Sequence, residues 1–365
     1  RHQLPRDSVW DMINVIPNLG APGRKRGGWS HYGDALAGGT THVEGLKHAP
    51  FVAGTKLVSI DQAGTLKPTT GGAVTNVGAS NAVRQNPVFH RDLVIIPAAN
   101  GTSIPDKYTG AAISDLVASA FTGKYAVVHK DRTVIANSVA QPQRVAFSPA
   151  GAPSAAWDAT SYQDASMPVS GLATLRQALL IFGEDRVERL RGSIPPTTTG
   201  EETDFILEFF VDEGCIDARS IVNFGDDVIY ANTSGVWQTD GAVADNLILR
   251  GGMEQYWKTL MSGYSSTWTL VAGLYRSHYI IAVMDGSTFK DALACEVGRY
   301  KWWRLANFTF TAMERSTIAA EELFCGLRDA DRIATISSCW SPSATVKNDA
   351  DTTAVVSTIE TAYFR

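Results

Sequence analysis

The sequence is short of charged residues and of long apolar runs. Charged side chains make up 19% of its 365 residues, compared with about 25% in an average globular protein. No apolar run approaches the ~20 residues that a membrane-spanning helix needs. Hydrophobic residues still make up 44% of the chain, which is enough to bury a core. These features exclude a disordered chain and a helical membrane protein.

The chain also lacks an excess of positive charge. Its 32 Lys and Arg residues are outnumbered by 37 Asp and Glu residues, for a formal net charge of −5. A protein that binds nucleic acid needs a concentrated basic surface to neutralise phosphates. Nucleic-acid binding is therefore excluded as the main role, although a mildly acidic protein can surround DNA without holding it.

Cysteines are few and are not arranged as metal ligands. The four are Cys215, Cys295, Cys325 and Cys339, each in or beside an apolar run, and no two form a C-x-x-C pair. This pattern favours buried free thiols in a chain that folds in a reducing cytosol. A disulfide or a metal site is the alternative.

Catalytic motifs are absent from the sequence. We find no G-x-S-x-G, Walker loop, H-E-x-x-H or G-x-G-x-x-G. Neighbouring acidic residues such as Asp226-Asp227 fall where a hairpin reverses, and Asp favours such turns by bonding its own backbone. His90, His129 and His278 also lie in or beside turns, where capping is a better explanation than a ring of metal ligands. We therefore expect no enzyme activity, no cofactor and no metal.

What the chain has instead is glycine, aromatic residues and a recurring hairpin pattern. It contains 32 Gly, 11 Tyr and 9 Trp. An apolar strand, a short polar turn and a β-branched strand recur with turns near residues 61–64, 90–92, 129–132, 183–185, 225–227, 277–278 and 328–331. The spacing of roughly 35–50 residues is that of one four-stranded propeller blade. The pattern predicts an all-β fold, a β-propeller of six or seven blades.

The first part of the chain differs from this pattern. We predict an N-terminal arm over residues 1–47 and the propeller over residues 48–365. The arm contains Arg24, Lys25 and Arg26 between glycine-rich turns, followed by Trp29. Turn residues and positive charge indicate an exposed loop. It is either a docking segment for an acidic neighbour or a solvated surface loop.

Few segments have a helical pattern, and two segments are typical of loops. Residues 111–121 and 252–260 could each form a short helix, and the second would place Met253, Tyr256 and Trp257 on one face. Residues 149–168 and 195–203 are predicted to be long mobile loops, and the second is rich in Pro, Thr and Glu, which favours a solvated segment.

Several tryptophans are candidates for a binding surface. Trp302 and Trp303 are adjacent in an expected strand, so one should face the core and the other should be available for contact. Trp237 and Trp340 are further candidates for stacking on a sugar or contacting a protein.

Two stretches of the sequence, residues 10–29 and residues 144–241, together resemble propeller-forming virion proteins of tailed bacteriophages, of the tail, tail-tip or nozzle type. The first is residues 10–29, WDMINVIPNLGAPGRKRGGW. The second, residues 144–241, carries the matching positions Ser148, Gly151 and Trp157, then 181–183, Gly192, Pro195, 220–222, 225–226, 228–230 and 235–241. Together they cover about a third of the chain.

The resemblance implies a structural role in a phage tail. We expect a ring or tip assembly with other tail or connector subunits and with copies of itself, located in the virion and made in the host cytoplasm. DNA would pass without specific binding. Residues 359–365 (IETAYFR) are expected to form a strand that leads into further chain. A carbohydrate- or receptor-binding propeller is the alternative function, followed by a glycan-degrading enzyme.

Overall fold

A computed structural model describes residues 9–13, 15–18, 21–25, 30–32, 35–36, 42–72, 74–79, 86–197, 203–286, 288–305, 308–316, 322–328, 332–336 and 358–361. In these residues the recurring hairpins form seven antiparallel sheets arranged as blades around one axis. The predicted all-β propeller is confirmed, with seven blades.

In the described residues, four strands precede the first blade. They are β1 (Val9–Ile13), β2 (Val15–Asn18), β3 (Ala21–Lys25) and β4 (Ser30–His31).

Blades 1 to 4 each consist of four consecutive strands. Blade 1 contains β5 (Val43–Phe51), β6 (Gly54–Asp61), β7 (Thr65–Thr69) and β8 (Gly78–Ala79). Blade 2 contains β9 (Val88–His90), β10 (Leu93–Ile96), β11 (Asp106–Tyr108) and β12 (Ile113–Asp115). Blade 3 contains β13 (Tyr125–His129), β14 (Arg132–Ala136), β15 (Arg144–Phe147) and β16 (Tyr162–Asp164). Blade 4 contains β17 (Gly171–Leu175), β18 (Ala178–Phe182), β19 (Val187–Arg191) and β20 (Ile206–Val211).

Blades 5 to 7 complete the ring. Blade 5 contains β21 (Val222–Phe224), β22 (Asp227–Ala231), β23 (Val236–Thr239) and β24 (Ala244–Asn246). Two helices follow it, α1 (Leu247–Arg250) and α2 (Glu254–Met261). Blade 6 contains β25 (Trp268–Tyr275), β26 (His278–Asp285), β27 (Thr288–Glu296) and β28 (Lys301–Arg304). Blade 7 contains β29 (Phe310–Arg315), β30 (Leu323–Leu327), β31 (Ile333–Thr335) and, on its outer edge, β4; the last strand of the chain is β32 (Thr358–Thr361).

The first strand of every blade lies next to the axis. Each of these seven strands contacts the first strand of both neighbouring blades, so that they form a closed circle. We call the end of the propeller where these strands begin the leading face, and the opposite end the turn face. Tight hairpins occupy the turn face: Arg91, Asp92, Lys130 and Asp131 all have positive φ, the geometry of type I′ turns.

The N-terminal segment does not end at residue 47. Blade 1 begins at Val43, and Ser30 and His31 pair with Thr335 and Ala334 of blade 7. The backbone N–H of Tyr32 donates to the Ile333 carbonyl at 2.8 Å. The predicted boundary is therefore wrong, because the ring closes by using a strand from the start of the chain as the outer strand of the last blade.

The arm is also strand-forming rather than an open loop. β2 and β3 pair as an antiparallel hairpin. β1 lies parallel to β28 on the outer edge of blade 6 and pairs on its other side with β32. The expected strand near residue 359 is thus confirmed for Thr358–Thr361, where it extends a blade of this chain.

Of the two helices predicted from the sequence, one is confirmed and the other is wrong. α2 confirms the helix expected over residues 252–260, and it buries Trp257 completely. The helix expected over residues 111–121 is wrong, because Ile113–Asp115 hydrogen-bonds to β11 as an outer strand.

Residues 149–168 do not form the open loop that the sequence predicts, since Trp157 is buried and β16 lies within them. Within the described part of the chain, no helix has the length and apolarity to cross a membrane.

Candidate functional site at the propeller axis

A cluster of charged residues lies on the leading face, close to the axis. Its centre is Arg219, in the 3-10 turn Ala218–Ser220 that leads into blade 5. Asp217 caps this turn by accepting a hydrogen bond from the backbone N–H of Arg219 at 3.0 Å. The same carboxylate receives the Arg219 guanidinium at 2.8 Å and 3.1 Å. Local capping by a residue two positions away therefore holds the arginine in place.

The Asp217 carboxylate also connects two blades. Its Oδ2 accepts a hydrogen bond from the backbone N–H of Leu270 at 3.0 Å, and Leu270 is near the start of β25 in blade 6. The two carboxylate oxygens of Asp217 thus accept hydrogen bonds from the Arg219 guanidinium, from the backbone of the 3-10 turn and from strand β25 of blade 6. Such a fully bonded carboxylate is the form in which a protein tolerates a buried charge.

Glu44 supplies the second negative charge, from blade 1. It is 2% exposed, with Oε2 at 3.8 Å from Arg219 Nη1 and Oε1 at 2.8 Å from Nε2 of His42. Burial lowers the pKa of Arg219, but Asp217 and Glu44 outweigh burial, so the pKa of the guanidinium is raised overall. The arginine stays charged between two carboxylates.

Tyr125, the first residue of blade 3, faces the same cluster. Burial raises the pKa of its phenol, and the nearby Asp217 carboxylate raises the pKa further. The phenol therefore remains neutral across the physiological range. Groups from blades 1, 3 and 5 interact across the axis at this face.

The space left at the cluster is small. A cavity of ≈ 80 Å³ is lined by His42, Glu44, Gln62, Arg219 and Arg328, among others. At about 30 Å³ per molecule it has room for two or three waters. It is too small for a sugar or a nucleotide, and the charged groups around it join blades electrostatically.

The tryptophan pair does not form a contact surface. Trp302 is 7% exposed and Trp303 is 1% exposed. Trp302 packs between blades 5 and 6, where its Nε1 donates to the Leu247 carbonyl at 2.9 Å, and Trp303 packs between blades 6 and 7. The expectation that one ring is available for contact is wrong, because a propeller blade is covered on both faces.

The other aromatic candidates are not free platforms. Trp237 is half-buried, and its Nε1 donates to Asn232 Oδ1 at 3.2 Å. Trp340 lies outside the described residues. Among the aromatic rings named from the sequence, the structure therefore offers no exposed stacking surface within its described part.

The basic arm is only partly described. Arg24 and Lys25 are the last two residues of β3. Arg26 and Trp29 lie outside the described residues. The docking role of this segment stays a prediction.

The described cysteines, and two of the histidines that lie in turns, are buried side chains. Cys215, Cys295 and Cys325 are free and buried, as expected, whereas Cys339 lies outside the described residues. His90 and His129 are buried at the ends of β9 and β13, and His90 Nδ1 is 2.8 Å from Thr133 Oγ1. The described residues contain no group of three His, Cys, Asp or Glu side chains that could hold a metal.

Sequence reasoning missed the axial cluster. A signal was present in the sequence, since Glu44 is the one acidic residue in the largely apolar segment of β5, and Asp217 is a capping residue two positions before Arg219. Their convergence could not be predicted from sequence spacing, because Glu44 belongs to blade 1 whereas Asp217 and Arg219 lead into blade 5.

Comparison with known proteins identifies the fold only. No family model matches the chain, and no curated protein matches it in sequence. Among solved structures, the extracellular domain of the putative hybrid two-component system BT4673 from B. thetaiotaomicron is similar over 86% of this chain and 43% of its own, with 8% identity and a TM-score of 0.55. BBS1N, solved in complex with ARL6DN, is similar over 88% of this chain and 99% of its own, with 11% identity and a TM-score of 0.53.

A third structure is similar in the same way. PorZ, an essential surface component of the type-IX secretion system of Porphyromonas gingivalis, is similar over 92% of this chain with 11% identity and a TM-score of 0.51. The chain spans about two fifths of the length of PorZ and of the BT4673 domain. None of the three is a phage tail protein. What they share with this chain is the propeller.

Proposed function

We propose that this chain is a structural subunit of a phage tail, in the tip, nozzle or head-to-tail region, that acts by assembling with neighbouring subunits in the virion. The sequence resemblance over residues 10–29 and 144–241 supports the tail role. The observation that carries the assembly role is the outer edge of blade 4, which has the properties of an interface for another strand.

The outer edge of blade 4 is unusually long and apolar. β20 has six residues, whereas the outer strands β4, β8, β12, β16 and β24 have two or three each. Ile206 and Phe209 are both 58% exposed. No strand in the described part of the chain pairs with the free edge of β20. Unpaired backbone groups beside exposed apolar side chains are what a strand from another chain recognises.

Blade 6 shows how such an edge is covered. Its outer strand β28 pairs with β1, which in turn pairs with β32, so two strands from other parts of the chain extend the sheet. We infer that a strand of a neighbouring copy covers β20 in the same manner. Repeated head-to-tail contacts of this kind generate a ring when the rotation closes.

The space near the axis bears on where DNA would pass. Glu44 and Arg219 line a cavity there that has room for only a few waters, and Tyr125 lies close to Arg219. A DNA path would therefore lie at the centre of a ring of copies, outside each individual propeller. The net negative charge of the chain would keep DNA from adhering to the wall of that path.

The test changes the edge of blade 4 alone. The double variant Ile206→Lys with Phe209→Lys should fold but be lost from purified particles, as quantified by mass spectrometry. Val139→Lys is the matched control, because Val139 is 59% exposed but lies in a connection and not on a free edge. Wild-type copy numbers for the double variant would refute the role of β20. Absence of the unmodified chain from particles would refute the tail function itself.

The basic segment provides an independent test of assembly. Reversing Arg24, Lys25 and Arg26 to Glu should block incorporation into particles, because an acidic neighbour would then repel the arm. The fold should persist, which circular dichroism can check. Normal incorporation would refute a docking role for these residues.

A further inference from the structure

Blades 3 and 4 have longer connections between their third and fourth strands than the other blades. Residues 148–161 link β15 to β16, and residues 192–205 link β19 to β20. The equivalent links of blades 2, 5 and 6 cover residues 109–112, 240–243 and 297–300. In repeat proteins, insertions collected on one face commonly form the binding surface.

A cavity of ≈ 270 Å³ lies between these two connections. Its walls are largely apolar, with Phe147, Pro149, Ile194 and Pro195 among the lining residues. The guanidinium of Arg132, at the start of β14, is the cationic group of this lining. The cavity therefore combines an apolar interior with a few charged groups, Arg132 and the Asp158 carboxylate, and this is the usual composition of a small-molecule site.

Arg132 has no carboxylate partner among the described ion pairs. Its hydrogen bond in the described structure is from Nη1 to the Ser148 carbonyl, at 2.8 Å. Four other arginines that are buried or partly buried do have carboxylate partners, in the pairs Arg144–Asp164, Arg189–Glu208, Arg219–Asp217 and Arg304–Asp291. No described carboxylate pairs with Arg132. A guanidinium carries five N–H donors, so most of them remain available to a ligand.

Burial without a counter-ion has an electrostatic consequence. Desolvation lowers the pKa of Arg132, because no nearby negative charge offsets the loss of water. The one carboxylate in the lining, Asp158, accepts hydrogen bonds from the backbone N–H and Oγ1 of Thr160 at 2.8 Å and 2.7 Å. It is engaged within its own loop and does not neutralise the arginine.

We propose that this cavity binds a small carboxylate with a compact apolar body, with the carboxylate on the Arg132 guanidinium and the apolar part between Pro149, Pro195 and Ile194. A guanidinium binds a carboxylate through two parallel hydrogen bonds, which are stronger when the site is partly dry. The volume corresponds to about nine waters at 30 Å³ each. It suits a ligand of about that many non-hydrogen atoms, such as benzoate.

Calorimetric titration of the full chain with matched probes tests this proposal. Benzoate should bind, whereas benzamide, which has the same shape without the charge, should bind at least about tenfold more weakly. Inorganic phosphate should also bind more weakly than benzoate, because it does not use the apolar walls. N-acetyl-leucine mimics the C-terminal carboxylate of a protein chain. Tighter binding of N-acetyl-leucine than of benzoate would indicate a neighbouring polypeptide as the source of the carboxylate, and tighter binding of benzoate would indicate a free acid.

Two variants locate the site. Arg132→Gln keeps a donor for the Ser148 carbonyl but should weaken benzoate binding at least about tenfold. Ala156→Leu, at an exposed position of the lining, should block binding by filling space while leaving Arg132 in place. Arg299→Gln, an exposed arginine on blade 6, should bind benzoate as the wild type does.

The proposal is overturned by any of three results. These are no benzoate binding at about 10 mM, equal binding of benzoate and benzamide, or unchanged binding in both Arg132→Gln and Ala156→Leu. Its failure would leave the assembly role untouched, since incorporation into particles is measured on β20.

Discussion

Individual charged residues have different roles in this protein according to how they are paired. Arg219 is held by Asp217 and Glu44 inside the ring, whereas Lys258 and Glu254 form an exposed pair on α2. A buried pair gains little over an apolar replacement of both partners, but removal of one partner leaves an uncompensated charge. The axial cluster should therefore be sensitive to single substitutions.

Arg219→Met should lower the free energy of unfolding by about 3–5 kcal/mol, because it strands two carboxylates at the axis. Adding Glu44→Gln should recover part of this loss. Lys258→Met should change stability by no more than about 0.5 kcal/mol. Denaturant titration monitored by tryptophan fluorescence measures all three. Equal effects of Arg219→Met and Lys258→Met would contradict a structural role for the cluster.

His129 predicts a dependence of stability on pH. It is buried, and its Nδ1 has no hydrogen-bond partner in the described structure. Burial and, to a smaller extent, the nearby Lys130 lower its pKa from 6.5 to about 4. Between these two pH values the unfolded chain takes up a proton that the folded chain does not. Stability should therefore fall by roughly 2–3 kcal/mol as pH decreases from 6.5 to 4.

Unfolding free energies measured across this pH window check the His129 prediction. His129→Gln should remove most of the slope, and a smaller remainder is expected from His48, whose pKa burial also lowers. An unchanged slope in His129→Gln would contradict the assignment.

At the scale of elements, most of the hairpins could be predicted and the connections could not. The turn at Gly225-Asp226, for example, shows the polar reversal between β-branched strands that dictates a hairpin, and each of the seven predicted reversals joins two strands of one blade. The helix prediction for residues 111–121 failed because the helix propensity of alanine stabilises a helix less than the hydrogen bonds to β11 stabilise β12 as a strand.

Long-range pairing also limits what the sequence reveals about both faces of a blade. Alternation suggested that one ring of the Trp302-Trp303 pair faces outward. In a ring of stacked blades both sides of a strand meet a neighbouring blade, so alternation no longer separates core from surface. The axial cluster and the Arg132 cavity depend on the same stacking, and neither can be located from local patterns.

A glycine between blades 4 and 5 should tolerate no side chain. A Cβ on Gly214 would lie 2.2 Å from the Gly183 carbonyl oxygen, whereas a Cβ on Gly263 would have its nearest neighbour, Trp268, at 3.6 Å. Gly214→Ala should therefore destabilise the chain by about 1–3 kcal/mol, and Gly263→Ala should change stability by less than about 0.5 kcal/mol. Thermal unfolding of both variants measures the difference, and similar midpoints would contradict it.

The whole molecule depends on one closure between distant parts of the chain. β4 completes blade 7, and the ring of Tyr32 packs edge-on against Phe324 with centroids 4.8 Å apart. Each blade buries its faces only against its neighbours, so an open ring exposes two apolar faces at once. Stability should therefore be shared by all blades through this contact.

Proline at position 32 tests the closure. Tyr32→Pro and Tyr32→Ala both remove the aromatic contact, but only proline also removes the N–H that donates to Ile333. Tyr32→Pro should be less stable than Tyr32→Ala by about 1–2 kcal/mol. Denaturation midpoints provide the comparison. Identical midpoints would show that the closing hydrogen bond contributes nothing.

The position of β4 has a consequence for synthesis on the ribosome. Residues 30–31 emerge early, but β30 and β31, the strands with which they share a sheet, emerge some three hundred residues later. At the ~5–20 residues per second of translation, the first segment waits without its partner while six blades are made. Completion of the circle therefore waits until β31 has been made, and the nascent chain carries an unpaired edge while the blades in between are synthesised.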